Sequence, residues 1–352
     1  MRDLVAERNV VVCCGAGGVG KTTMAAALGV SAARQGRRVC VVTVDPARRL
    51  GDALGFAEGL TADPQPVEVD GVRGEGELWA MMLDPAVELE RVIRSHAVRP
   101  GQAEEALNNQ FTRSISTSLG GTQEYMATEV LYRLVHDERF DLVIVDTPPS
   151  DRALAVVQAP DVLVRFLDHQ VFRLLMGGGG RAARLFATAT QPLLKAIGRV
   201  IGSNVLDDVV SFLRSFTGME SSFRARAVDV QKMWRAGSTA FVLVAAPTTA
   251  STTEAERFAD ELRANGIGVD RFILNRCTPD LSALETGDKP IGEPLAHWLE
   301  WTATLRHAEL QLIHQVGTFG VEVVAVERLQ FDVHDLKGLM LLADALDRAS
   351  TV

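Results

Sequence analysis

The segment that most constrains this chain is Gly15-Ala16-Gly17-Gly18-Val19-Gly20-Lys21-Thr22-Thr23. It fits the phosphate-binding pattern G-x-x-x-x-G-K-[ST] in the setting that pattern requires. Before it, Asn9-Val10-Val11-Val12-Cys13-Cys14 reads as a buried strand, and after it Thr22 to Gln35 reads as an alanine-rich helix closed by Gly36. Glycines let the backbone fold tightly, so that several N–H groups point into one concavity where the helix N-terminus adds partial positive charge. Lys21 is placed to reach β- and γ-phosphates, and the Thr22 hydroxyl to ligate Mg²⁺. The bland alternative is a glycine turn joining strand to helix.

Further apolar runs follow. Arg38 to Val44 ends at Asp45, and Phe140 to Val145 ends at Asp146. Ala240 to Ala246, Arg271 to Asn275 and Val321 to Val326 complete the set. They are continuous and β-branched rather than alternating, as strands covered on both faces of a parallel sheet are. Helical segments separate them, so the chain reads as α/β, a doubly wound, mostly parallel sheet. Ligands of such sheets sit at the carboxyl ends of the strands, where the Gly15 loop, Asp45, Asp146 and Asn275 all fall.

Two stretches break the alternation: residues about 86–135, and a long apolar block over about 160–236 that contains the glycine run Gly177 to Gly180. Both read as helical insertions within a single P-loop domain covering 1–352.

Asp146-Thr147-Pro148-Pro149-Ser150 has the form of a Walker B element, whose carboxylate binds Mg²⁺; the alternative is a turn or N-cap aspartate. Asp45-Pro46-Ala47-Arg48-Arg49-Leu50 offers a carboxylate to orient or deprotonate an attacking water. Equally, Asp45 could cap a helix beginning at Pro46. Asn275-Arg276 follows a strand at a place where an amide can meet an adenine edge.

Charge and cysteine usage narrow the classes. The 352 residues carry a net charge of −9, with 47% apolar and 23% charged residues. That acidity argues against a nucleic-acid surface and an anionic-membrane anchor. The four cysteines, Cys13, Cys14, Cys40 and Cys277, lack C-x-x-C spacing and read as buried thiols of a cytoplasmic protein. The best candidate for a membrane span, Leu185 to Leu206, is interrupted by Lys195 and Arg199, so no stable span is expected.

Together these elements resemble the ArsA/Get3 group of deviant-Walker-A ATPases, which includes arsenite-pump ATPases and the eukaryotic factor that delivers tail-anchored proteins. The resemblance rests on Gly15 to Thr23 as the P-loop, Asp45-Pro46-Ala47 with Leu50 and Asp52 as switch I, Asp146 to Ser150 as switch II, Asn275-Arg276 at the adenine, and Phe331 to Leu339 as the closing segment. Within the group the chain is most similar to one member of the paired ATPases of actinobacteria and mycobacteria. The resemblance implies ATP hydrolysis to ADP with Mg²⁺ in a nucleotide-clamped dimer, with Asp45 activating water and the 160–236 insertion matching a client-groove region.

Departures are informative. Ala16 stands where the family carries a second lysine that crosses to the partner's phosphates, which points to a heterodimer with a paralogue that keeps this lysine. The zinc-binding C-x-x-C and the metalloid-binding cysteines have no counterparts, and the usual prolines are missing around Val326 to Gln330. A competing reading is a nucleotide-gated targeting or chaperone subunit whose insertion shelters a hydrophobic client. A partition or division-site ATPase and an iron–sulfur reductase are disfavoured by the acidic charge, by Arg348 as the only basic residue from Leu339 to Arg348, and by the cysteine spacing.

Overall fold

In the computed structural model, described for residues 1–109, 112, 121–169, 211–212, 215–281, 292–317 and 320–349, the chain divides into two compact units. The first comprises Met1–Leu83, Arg133–Leu154 and Arg235–Val352, and the second Asp84–Tyr132 and Ala155–Trp234.

An eight-stranded sheet forms the first unit: β1 (Val10–Gly15), β2 (Arg38–Thr43), β3 (Gln65–Val67), β4 (Glu77–Met82), β5 (Leu142–Asp146), β6 (Thr239–Ala245), β7 (Arg271–Cys277) and β8 (Glu322–Glu327), in the order β3-β4-β2-β5-β1-β6-β7-β8. All neighbours are parallel except the edge pair β3–β4. Every residue of β1, β5 and β6 is buried, which explains why these strands read as unbroken apolar runs. The sheet places β2 and β5 on one side of β1 and β6 and β7 on the other, so the chain switches direction across the strand that feeds the glycine loop.

Helix α2 (Lys21–Arg34) follows that loop. From Met24 to Ala33 every residue is buried, because one side lies on the sheet and the other beneath the C-terminal helix α11 (Leu336–Arg348). Small residues permit that double burial. At Gly29 a Cβ would come within 2.6 Å of Val41 Cγ2 on β2, so the helix approaches the sheet more closely than any side chain allows. Arg34–Asp344 at 2.8 Å and Ser31–Asp347 at 2.7 Å tie α2 to α11 at the rim.

The second unit is helical in its described residues. Helix α4 (Pro85–His96) starts with Pro85 at its first position, and the Asp84 carboxylate accepts the N–H groups of Ala86 at 2.9 Å and Val87 at 3.2 Å. Buried Gln102, on α5 (Gln102–Leu107), donates to the carbonyls of Ser215 at 2.7 Å and Thr217 at 3.0 Å and accepts the N–H of Val98 at 2.9 Å. Helix α6 (Thr122–Val135) and helix α8 (Glu220–Arg235) are joined by Arg226 Nη1 to Glu129 Oε2 at 3.0 Å. Helix α7 (Ser150–Asp168) begins in the first unit, and its residues from Ala155 belong to the second.

Helices α4, α5 and α6 fall within or beside the stretch about 86–135, of which residues 110–111 and 113–120 lie outside the described residues. The glycine run Gly177 to Gly180 and the candidate span Leu185 to Leu206 lie outside the described residues. No helix among the described residues is long and apolar enough to cross a membrane.

Candidate active site

Register brings the distant candidates to one edge of the sheet. Cys13 of β1 pairs with Asp146 of β5, Thr43 of β2 pairs with the same Asp146, and Gly15 pairs with Val244 of β6. Gly15 has φ +145 and packs so closely on β6 that a Cβ would collide with the Val244 carbonyl. From there the loop turns through Gly17, Gly18 and Val19 to Gly20, whose left-handed φ of +97 starts α2. Its N-cap residue, Gly20, has no side chain to cap α2, so none from that position competes with an anion for the first-turn N–H groups of Lys21, Thr22 and Thr23.

The Lys21 ammonium is folded back into the loop. Its Nζ donates to the Ala16 carbonyl at 2.8 Å, and the residue is only 8% exposed. Burial lowers its pKa, the carboxylates of Asp146 and Asp45 and the Cys14 thiol oppose that, and the Arg49 guanidinium adds to it. Ammonium, carboxylates and guanidinium therefore share one small electrostatic field.

Asp146 is fully buried at the end of β5. Its Oδ2 accepts the Thr43 hydroxyl at 2.9 Å, while Oδ1 has no hydrogen-bond partner among the described residues. Burial pushes the carboxyl up to about 6; the hydroxyls of Thr22 and Thr43 and the Lys21 ammonium pull it down, and Asp45 pushes it up. A buried carboxylate oxygen without a partner is costly, and a hydroxyl beside it makes an all-oxygen donor pair that suits a hard divalent cation. No group of three or more His, Cys, Asp or Glu side chains among the described residues could hold a metal. A magnesium ion does not need one, since it keeps its waters and leans on one or two protein oxygens plus phosphate.

Asp45 does not cap the helix that follows it. The next helix, α3 (Arg49–Leu54), begins later with Arg48 as its N-cap residue. The Asp45 Oδ1 instead accepts the Ala47 N–H at 3.0 Å, closing a tight turn through Pro46. Its charge raises the pKa of both the Lys21 ammonium and the Asp146 carboxyl.

At the far side, Asn275 is 6% exposed and its Nδ2 donates to the Val19 carbonyl at 2.8 Å. Arg276 Nη1 donates to the Gly18 carbonyl at 3.3 Å. Both residues also line a cavity of about 590 Å³ with Thr23, Leu342 and the run Glu327 to Val333. The run Glu327 to Val333, which overlaps the stretch where the usual prolines are missing, follows β8 along one wall of the cavity. Thr43 is a site residue that the sequence alone does not single out. Its one signal was its place at the end of a strand, and only register with β5 sets its hydroxyl on Asp146.

A family model described as Anion-transporting ATPase matches residues 8–288. The chain belongs to this ArsA ATPase family. It is therefore an ATPase of the P-loop class. Among curated proteins it is similar to ATPase GET3 of Malassezia globosa, 27% identical over 278 residues that cover 76% of this chain and 72% of that one. ATPase asna-1 of Caenorhabditis elegans is 27% identical over 285 residues, covering 76% and 75% respectively. ATPase get3 of Schizosaccharomyces pombe is 26% identical over 271 residues, covering 76% and 72%. The ArsA-family match spans the phosphate loop, both carboxylate segments and Asn275-Arg276, and stops before the cavity-wall run.

Proposed function

We propose that this ArsA-family chain hydrolyses ATP with Mg²⁺, and that nucleotide opens and closes a dimer. The observation that carries this reading is the unpartnered Oδ1 of buried Asp146 beside the Thr22 hydroxyl, at the foot of an uncapped helix N-terminus. Lys21 would leave the Ala16 carbonyl to bind the β- and γ-phosphates. Main-chain N–H groups from Gly15 to Thr23 would cradle the polyphosphate. Thr22 and Asp146 would hold the metal, which when bound neutralises phosphate charge. Asp45 would orient and deprotonate the attacking water, and the 590 Å³ cavity would receive the base.

Ala16 motivates a partner. With a small apolar side chain at that place, a homodimer offers no second loop lysine to either site, and loses a charge-assisted contact to developing negative charge. We infer a heterodimer with an ArsA-like paralogue whose lysine enters this chain's site. Calorimetry of the lone chain with ADP, with and without Mg²⁺, should register metal-dependent binding, and hydrolysis should rise at least tenfold when the paralogue is added. Full turnover by the lone chain would remove the partner from the proposal. Absence of any nucleotide binding, even with a partner, would remove the site.

A second reading is favoured by Val162 and Phe166, 55% and 51% exposed on the part of α7 that belongs to the second unit. Large apolar side chains with about half of their surface exposed suit a hydrophobic client held by a nucleotide-gated targeting or chaperone subunit. Co-purification of apolar peptides that ATP releases would support it.

A further inference from the structure

We propose that Asn275 and Arg276 are positioning residues of the phosphate loop, so that the end of β7 sets the grip on polyphosphate as well as the wall of the base cavity. The proposal rests on the nucleotide site proposed above and adds to it what holds the loop in shape.

Two successive side chains hold two successive loop carbonyls: Arg276 takes Gly18 at 3.3 Å, and Asn275 takes Val19 at 2.8 Å. A peptide unit is planar and trans, so its carbonyl and the following N–H point in opposite directions. Drawing the Gly18 and Val19 carbonyls toward β7 therefore turns the N–H groups of Val19 and Gly20 the other way, into the loop's concavity.

The backbone is shaped on both sides for this contact. A Cβ on Gly20 would stand 2.5 Å from the Asn275 Nδ2, so the glycine makes room for the amide. On β7, the pairing with β8 slips between Asn275 and Cys277, and Arg276 has φ +67. Among the described residues no other non-glycine residue has positive φ. A left-handed arginine is strained, and the irregularity throws its side chain out of the sheet toward the loop. Asn275 is nearly sealed from solvent while its amide is committed to Val19, a placement that a role in base contact alone does not require.

The test separates the loop from the base. Mg²⁺-dependent affinities for inorganic pyrophosphate, tripolyphosphate and ADP are measured by calorimetry on the full chain. Asn275→Ala should weaken pyrophosphate and tripolyphosphate about 5- to 20-fold, and ADP by at least as much, because a buried carbonyl is left without its donor. Arg276→Gly relieves the backbone strain but removes the guanidinium; it should weaken pyrophosphate about 3-fold while leaving the thermal midpoint of the ligand-free chain unchanged or higher. Should either variant lose ADP affinity but bind pyrophosphate as the unaltered chain does, that residue serves the base alone and the proposal fails for it. Should Asn275→Ala not fold, Arg276→Gly decides. If the unaltered chain binds neither pyrophosphate nor ADP, the nucleotide site itself is wrong, an outcome distinct from a variant-specific loss.

Discussion

Burial raises the Asp146 carboxyl above the ordinary range, and below about pH 6 Mg²⁺ binding would have to expel its proton. With the carboxyl raised to about 6, metal-dependent nucleotide affinity should fall about tenfold per pH unit below that value and level off above it. Asp146→Asn should abolish both the metal dependence and this pH dependence, and calorimetry between pH 5 and pH 8 with and without Mg²⁺ reads both. Asn keeps a partner for Thr43 and removes a buried charge, so the ligand-free variant should melt no lower than the parent at pH 8. Lys21→Ala should cost about 100-fold or more in nucleotide affinity or turnover, while Asp45→Asn should bind ATP normally and turn over at least 100-fold more slowly. Normal hydrolysis by Asp45→Asn would show that another group activates the water.

Helix α2 shows how one element serves both packing and chemistry. Its N-terminus is left uncapped for an anion, while its body is locked between the sheet and α11 by residues too small to permit anything else. Gly29→Val would drive two methyl groups against Val41 and Leu78 and lift the helix from β2. Overpacking of this kind costs about 1–3 kcal/mol, to be read from the midpoint of urea unfolding. Nucleotide affinity should fall with it, since a lifted α2 drags Lys21 and Thr22 from their places. A similar economy applies to the strands. The runs around Val10, Val41, Ile144, Val242 and Ile273 were legible because a strand covered on both faces must be apolar throughout. β3 and β4 were not legible, because Gln65-Pro66-Val67 is a short edge strand with a proline, and Glu77 to Met82 mixes a charge with Trp79 and two methionines.

Taken as a whole, the molecule should respond to acid in two opposite ways. His96, in the second unit, is buried against Phe223 at 4.4 Å between ring centres, with Nδ1 3.0 Å from the Ser95 hydroxyl and Nε2 without a partner among the described residues. Burial and the Arg226 charge lower its pKa to about 4. The unfolded chain therefore takes up a proton between about 6.5 and 4 that the folded one refuses, and this unit loses stability as pH falls through that window. The sign reverses at Asp146: there the folded form holds a proton between 3.8 and about 6 that the unfolded chain releases, so its contribution to the first unit grows on acidification. Hydrogen exchange from pH 7 to 4.5 should show protection falling in Pro85–His96 before it falls in Leu142–Asp146. His96→Gln should flatten the acid response of the first segment without altering that of the second.

What the chain determined by sequence alone was local. A glycine pattern followed by Lys21-Thr22, an aspartate at the end of each of two apolar strands, and the run lengths of those strands all depend on residues within a turn or a strand of one another. From them followed the α/β class, the phosphate loop and the candidate carboxylates. Tertiary structure alone decided which distant groups meet: Thr43 with Asp146, Asn275 with Val19, Arg276 with Gly18, and the Glu327 to Val333 run with Thr23. Those meetings are set by strand order and register, which arise from packing many elements at once and leave no periodic trace in the neighbourhood of any one residue.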